Sequence, residues 1–107
     1  MDRHSQLSEL ENALEVIYLG IADFQGSDPQ YRLMKIGEEF GEVVQAYIGA
    51  HGKNKRKGFG SVAEVKKELA DVLITAFVAL FDFDDYPISV LTERVDQIQN
   101  RIKEQGS

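Results

Sequence analysis

Apolar residues return every three or four positions in four separate stretches of this chain, with polar residues between them. That is the period of an α-helix that turns one face to a core. In the first stretch Leu7, Leu10, Leu14, Ile17, Ile21 and Phe24 form one stripe, predicting a helix over about 6–24 that covers a core. In the second, Leu33, Ile36, Phe40, Val43 or Val44, and Tyr47 predict the inner face of a helix over about 29–50. The third runs over about 61–81, with Val65, Leu69, Val72, Leu73, Ala76, Phe77 and Leu80 apolar and Ile74, Val78 and Phe81 on its other sides. From Leu73 onward it is apolar nearly all round, which predicts burial by its own chain and by a second subunit. In the last, Ile88, Leu91, Val95, Ile98 and Ile102 give the stripe of a helix over about 87–104.

The ends of these stretches carry the residues that helix ends require. Ser8-Glu9-Leu10-Glu11 has the form of a capping box, with Ser5 an alternative cap one turn earlier. Asp28-Pro29 reads as an N-cap followed by proline at the first helical position. Ser61-Val62-Ala63-Glu64 is a second capping box. Asp84 or Asp85 is expected to cap the last helix, with Pro87 in its first turn. The chain shows no internal repeat. The expectation is an all-α, four-helix bundle-like fold in a single domain, residues 1–107.

Charge narrows the function. The net charge of −6 argues against a nucleic-acid partner and would repel a free nucleotide unless a cation reverses the local sign. There is no cysteine, which excludes thiolate metal sites and cysteine nucleophiles and fits a reducing, cytoplasmic setting. The first residues are polar rather than an apolar signal core, and the longest apolar run is too short to span a bilayer, so no membrane partner is expected.

The chemistry concentrates in Glu38-Glu39-Phe40-Gly41-Glu42 and Glu68-Leu69-Ala70-Asp71. Residues three apart on a helix share a face, so Glu39 pairs with Glu42 and Glu68 with Asp71. If the two helices pack antiparallel, four carboxylates converge. They cannot all stay ionised in a half-buried site without a cation among them. Oxygen ligands without His or Cys suit Mg²⁺ or Mn²⁺. Gly37 and Gly41 flank the cluster and admit a close neighbour, either another helix or a ligand. Between the two helices lies a loop with Lys53, Lys55, Arg56 and Lys57, which is either a solvated charge run or a basic lid for phosphate oxygens.

The paired motif, Glu38-Glu39-x-x-Glu42 and then Glu68-x-x-Asp71, resembles the signature of the MazG-like nucleoside triphosphate pyrophosphatases. Their all-α superfamily also includes dimeric dUTPases, dCTP pyrophosphatases and phosphoribosyl-ATP pyrophosphatase. The resemblance runs from about Leu14 to Arg101 and rests on the two half-motifs together, either alone being weak. It implies hydrolysis of a nucleoside triphosphate to the monophosphate and pyrophosphate, with Mg²⁺ held by Glu39, Glu42, Glu68 and Asp71. Glu38 and Glu39 would be the catalytic carboxylates, Glu38 either orienting or activating water or only facing solvent. The resemblance also implies phosphate contacts from a basic loop, here Lys53, Lys55, Arg56 and Lys57, and from the last helix, here Asn100 and Arg101. Family members often carry a lysine ahead of that asparagine, where this chain has Gln97 and Gln99. A homodimer or homotetramer is implied as well.

Rival readings are a phosphoribosyl-ATP pyrophosphatase-like enzyme, and a non-catalytic helical module that binds another protein through apolar surface. A di-iron carboxylate bundle is excluded, because it needs Glu-x-x-His and neither His4 nor His51 lies three after a glutamate.

Overall fold

A computed structural model describes residues 2–25, 28–51 and 61–106. Four helices follow in order: α1 (Arg3–Gln25), α2 (Pro29–His51), α3 (Val62–Leu80) and α4 (Pro87–Gly106). There is no strand among the described residues.

Local chemistry sets most boundaries. The Asp28 side chain accepts from the Gln30 amide at 3.0 Å, and Pro29 follows it into α2. Ser61 caps α3 by accepting from the Glu64 amide at 3.1 Å. The first helix starts earlier than its capping box predicts. Asp2 accepts from the Ser5 amide at 2.8 Å, so Ser5 and Ser8 both lie inside α1. Neither Asp84 nor Asp85 caps α4 in the expected way. Asp84 instead closes a turn by accepting from the Tyr86 amide at 2.7 Å. The first turn of α4 is satisfied by Glu11, whose Oε2 accepts from the Ile88 amide at 2.8 Å.

The centre of the fold is the pair α2 and α3. Arg32 at the start of α2 meets Asp82 just beyond α3, and ten residues on Glu42 meets Glu68, so the two helices run antiparallel. The α1 helix packs across the far end of α3. There Tyr18 stacks on Phe81 with ring centroids 5.4 Å apart, and Phe77 meets Phe81 edge-on at 5.9 Å. Pro87 is fully buried at the turn into α4.

A charged cluster ties these elements together. Arg32 Nε donates to Asp82 Oδ2 at 2.5 Å, and its Nη2 donates to Oδ1 at 2.6 Å, a bidentate pair with both side chains only 4% exposed. The Tyr18 hydroxyl donates to the same Asp82 Oδ1 at 2.8 Å, and the guanidinium lies 5.3 Å from the Tyr18 ring centroid. The Arg32 hydrogen bonds hold the Asp82 carboxyl below its ordinary value, against the effect of burial.

Among the described residues the buried apolar side chains of the core are Leu14, Val43, Ala46, Val78 and Ala79. Large apolar residues expected inside are not. Leu7, Leu10 and Ile17 on α1, and Phe40 and Tyr47 on α2, are all exposed. The buried side of α2 is instead Arg32, Val43 and Ala46, with Ile36 half-buried. Every residue of α4 from 91 to 106 is exposed, its stripe included. The radius of gyration is 16.9 Å, where about 13 Å is usual for a compact chain of this length. No helix among the described residues is long and apolar enough to cross a membrane.

Candidate metal centre

Carboxylates from α2 and α3 meet midway along the helix pair. Glu39 and Glu42 stand one turn apart on α2, and Glu68 faces them from α3. One oxygen from each lies within 4.8 Å of the other two. Burial is uneven. Glu68 is buried at 8% exposure, Glu39 is half-buried and Glu42 is exposed at the mouth.

Glu68 is the residue whose position costs most. Its Oε1 accepts from Lys67 Nζ at 3.3 Å, but Oε2 is buried with no hydrogen-bond partner. An unpartnered buried carboxylate oxygen is unfavourable. It gains a donor from within the cluster only if a neighbouring carboxylate takes up a proton. Glu42 is the group that tends to do so. The charge of Glu39, and next the hydrogen bond a protonated Glu42 makes to Glu68, raise the Glu42 carboxyl above its ordinary value. Burial pushes the Glu68 carboxyl up, but the Lys67 ammonium and the neighbouring carboxyls outweigh it, and the group stays below its ordinary value.

Two lysines flank the cluster, one from each helix. Lys35 Nζ lies 3.2 Å from Glu38 and 3.9 Å from Glu39. Lys67 Nζ lies 3.3 Å from Glu68 and 3.6 Å from Asp71. Sequence reasoning missed both as part of the site, although Lys35 precedes Glu39 by four positions and Lys67 precedes Asp71 by four, a spacing that pairs opposite charges on a helix.

No protein-family model, curated protein or solved structure matches this chain.

Of the expected ligands, Glu39, Glu42 and Glu68 come together. Asp71 stands one turn beyond Glu68 on α3, half-buried and paired with Lys67, outside the group of three. Glu38 is exposed and paired with Lys35, also outside it. Asn100 and Arg101 lie in the exposed part of α4, with no hydrogen bond or ion pair to the carboxylates among the described residues. Lys53, Lys55, Arg56 and Lys57 lie outside the described residues. A Cβ placed on Gly37 or Gly41 would meet nothing within 4 Å, so no other part of the described chain approaches either glycine.

The donor set fits a hard divalent cation. It offers only oxygens, three carboxylates from two rigid helices, and one buried oxygen with an unfilled position.

Proposed function

We propose that this protein is a Mg²⁺- or Mn²⁺-dependent nucleoside triphosphate pyrophosphohydrolase, converting a (deoxy)nucleoside triphosphate to its monophosphate and pyrophosphate. The observation that carries the reading is Glu68 Oε2, buried without a partner inside a cluster completed by Glu39 and Glu42. A carboxylate that only faced solvent would not be held in that position, and a protein-binding module has no need of it. The match of Glu38-Glu39-x-x-Glu42 and Glu68-x-x-Asp71 to the MazG-like signature supplies the reaction class.

In this reading Glu39, Glu42 and Glu68 hold the cation. Asp71 would be available as a further ligand if the exposed Lys67, now paired with both Glu68 and Asp71, turned toward solvent. Bound there, the cation offsets the charge of the polyphosphate and lowers the pKa of a water. Lys35 and Lys67 carry the positive charge nearest the cluster among the described residues, and both suit phosphate oxygens once substrate displaces their carboxylate partners. Glu38 stands at the solvent edge next to Glu39, where it orients or deprotonates water. The family resemblance implies that the working unit is a homodimer or homotetramer.

The test is direct. The purified protein is incubated with a panel of ribo- and deoxyribonucleoside triphosphates, with Mg²⁺ or with chelator, and the products are identified. Monophosphate plus pyrophosphate, lost with chelator and in Glu68→Gln, is the expected result. Diphosphate plus phosphate would keep a metal hydrolase and remove the family assignment. No turnover, together with no Mg²⁺-dependent rise in melting temperature, would remove the metal site.

A further inference from the structure

The two motif carboxylates of α3, Glu68 and Asp71, share one lysine. Lys67 Nζ lies 3.3 Å from Glu68 Oε1 and 3.6 Å from Asp71 Oδ2. The two ends of the first pair are unlike: the Lys67 side chain is 63% exposed and the Glu68 side chain 10%. A buried carboxylate depends on its counter-charge, whereas an exposed ammonium recovers water when it leaves. Lys35 on α2 sits differently. Its close partner, at 3.2 Å, is the exposed Glu38, outside the group of three, and it reaches Glu39 only at 3.9 Å. Lys67 is thus the lysine engaged with the buried member of the cluster.

We infer that Lys67 is the resident counter-ion of the cluster and competes with a divalent cation for it, so that a residue outside the ligand set fixes how much metal the site needs. The inference rests on the metal reading above and adds the group that opposes it. Two effects act in the same direction. The first is on the empty site. Glu39, Glu42 and Glu68 each bring an oxygen within 4.8 Å of the other two, and the Lys67 ammonium offsets part of that negative charge. Stabilising the empty site lowers its affinity for an incoming cation, because a ligand gains only the difference between the two states. The second is on the filled site. Glu68 Oε1 faces the ammonium, and Oε2 is buried without a partner. A cation held with Glu39 and Glu42 places a like charge across the same carboxylate from Nζ, where burial limits screening by water and salt. The ammonium is the one that yields. It is singly charged, exposed and carried on a flexible four-carbon stem.

The experiment is a calorimetric titration of the metal-stripped full chain with Mn²⁺, without substrate. Lys67→Met keeps a good helix former at an exposed position and should fold as the parent does. It should bind Mn²⁺ at least about threefold more tightly than the parent, and its Mn²⁺-dependent rise in melting temperature should be the larger. Lys66→Met removes the same formal charge one residue away, from an exposed side chain that makes no ion pair with the cluster, and should stay within about twofold of the parent. Lys67→Arg keeps the charge and should show no gain. The sign of the first result separates competition from support. If Lys67 served to orient Glu68 for the metal, Lys67→Met would bind Mn²⁺ more weakly, and that result would overturn the inference. So would an unchanged affinity, or an equal gain in Lys66→Met or Lys67→Arg. In each of these cases the parent still binds Mn²⁺ and the metal reading stands. No Mn²⁺ binding by the parent or any variant would remove that reading and this inference with it.

Discussion

Arg32 and Asp82 are fifty residues apart in sequence and form a bidentate ion pair at 2.5 and 2.6 Å, with Tyr18 donating a third hydrogen bond to the same carboxylate. The pair fixes the start of α2 to the end of α3, at the opposite end of the helix pair from Ser61. Removing one partner strands a buried charge. Asp82→Ala should therefore cost about 3–5 kcal/mol, and Tyr18→Phe about 1–3 kcal/mol, read from denaturant midpoints. A double replacement of Arg32 and Asp82 by apolar residues of similar size should cost less than Asp82→Ala alone.

The same carboxylate gives acid stability a definite shape. The folded-state pKa of Asp82 lies below the ordinary 3.8. Its contribution is therefore present above about that pH and is lost as pH falls through the lowered value. The parent protein should lose this increment only at strongly acid pH. Asp82→Asn should show no such step. Urea midpoints measured from pH 5 downward compare the two.

Glu42 works in the other direction. Its folded-state pKa is raised, chiefly by the charge of Glu39. Without metal, the favourable contribution is complete below the ordinary 4.5 and disappears as pH rises through the raised value. In chelator, Glu42→Gln should be more stable than the parent near neutral pH, and the difference should vanish toward pH 4. With Mg²⁺ present the order should reverse, because the variant has lost a ligand. Thermal scans with and without Mg²⁺ across that range read both effects.

Replacing Glu68 by glutamine separates the metal from the fold. The amide fills nearly the same volume and brings its own donor to a cluster of acceptors. Mg²⁺ or Mn²⁺ affinity should fall by at least about tenfold and turnover should disappear, while metal-free stability stays equal or rises. Calorimetric titration with Mn²⁺ measures the first effect without needing a substrate. A fall in metal-free stability would mark Glu68 as a structural residue.

Glu11 supplies the hydrogen bond that opens α4. Glu11→Ala should cost about 1 kcal/mol, as loss of a helix cap does. The amide of Ile88 should exchange its hydrogen faster in the variant.

What the sequence made legible follows from distance along the chain. The Asp28-Pro29 and Ser61 starts are local chemistry and stand where the residues indicate. The carboxylate cluster was legible because its spacing of three on each helix needs only one assumption, antiparallel packing. Arg32, Tyr18 and Glu11 gave no signal. Their partners are 50, 64 and 77 positions away, and nothing periodic marks them. The inner face of α2 was misplaced for a different reason. Val43 and Val44 are both apolar, and the apolar residues extend far around the helix, so periodicity allowed two faces. Val43 with the small Ala46 lies inside, where α3 comes close, and the bulkier Phe40 and Tyr47 are left outside. Asp71, paired with Lys67 on its own helix, lies outside the group of three.

The connection between α3 and α4 is fastened to α1 at two points, Tyr18 to Asp82 and Glu11 to the Ile88 amide. Residues 11 and 18 are two helical turns apart and stand on one side of α1. The first helix is thus a splint laid across a joint. Bracketed on both sides of Pro87, the joint has little freedom to bend, and α4 leaves it as a stiff lever about 30 Å long. The heading of that lever is set by α1, a helix that contributes no carboxylate to the cluster.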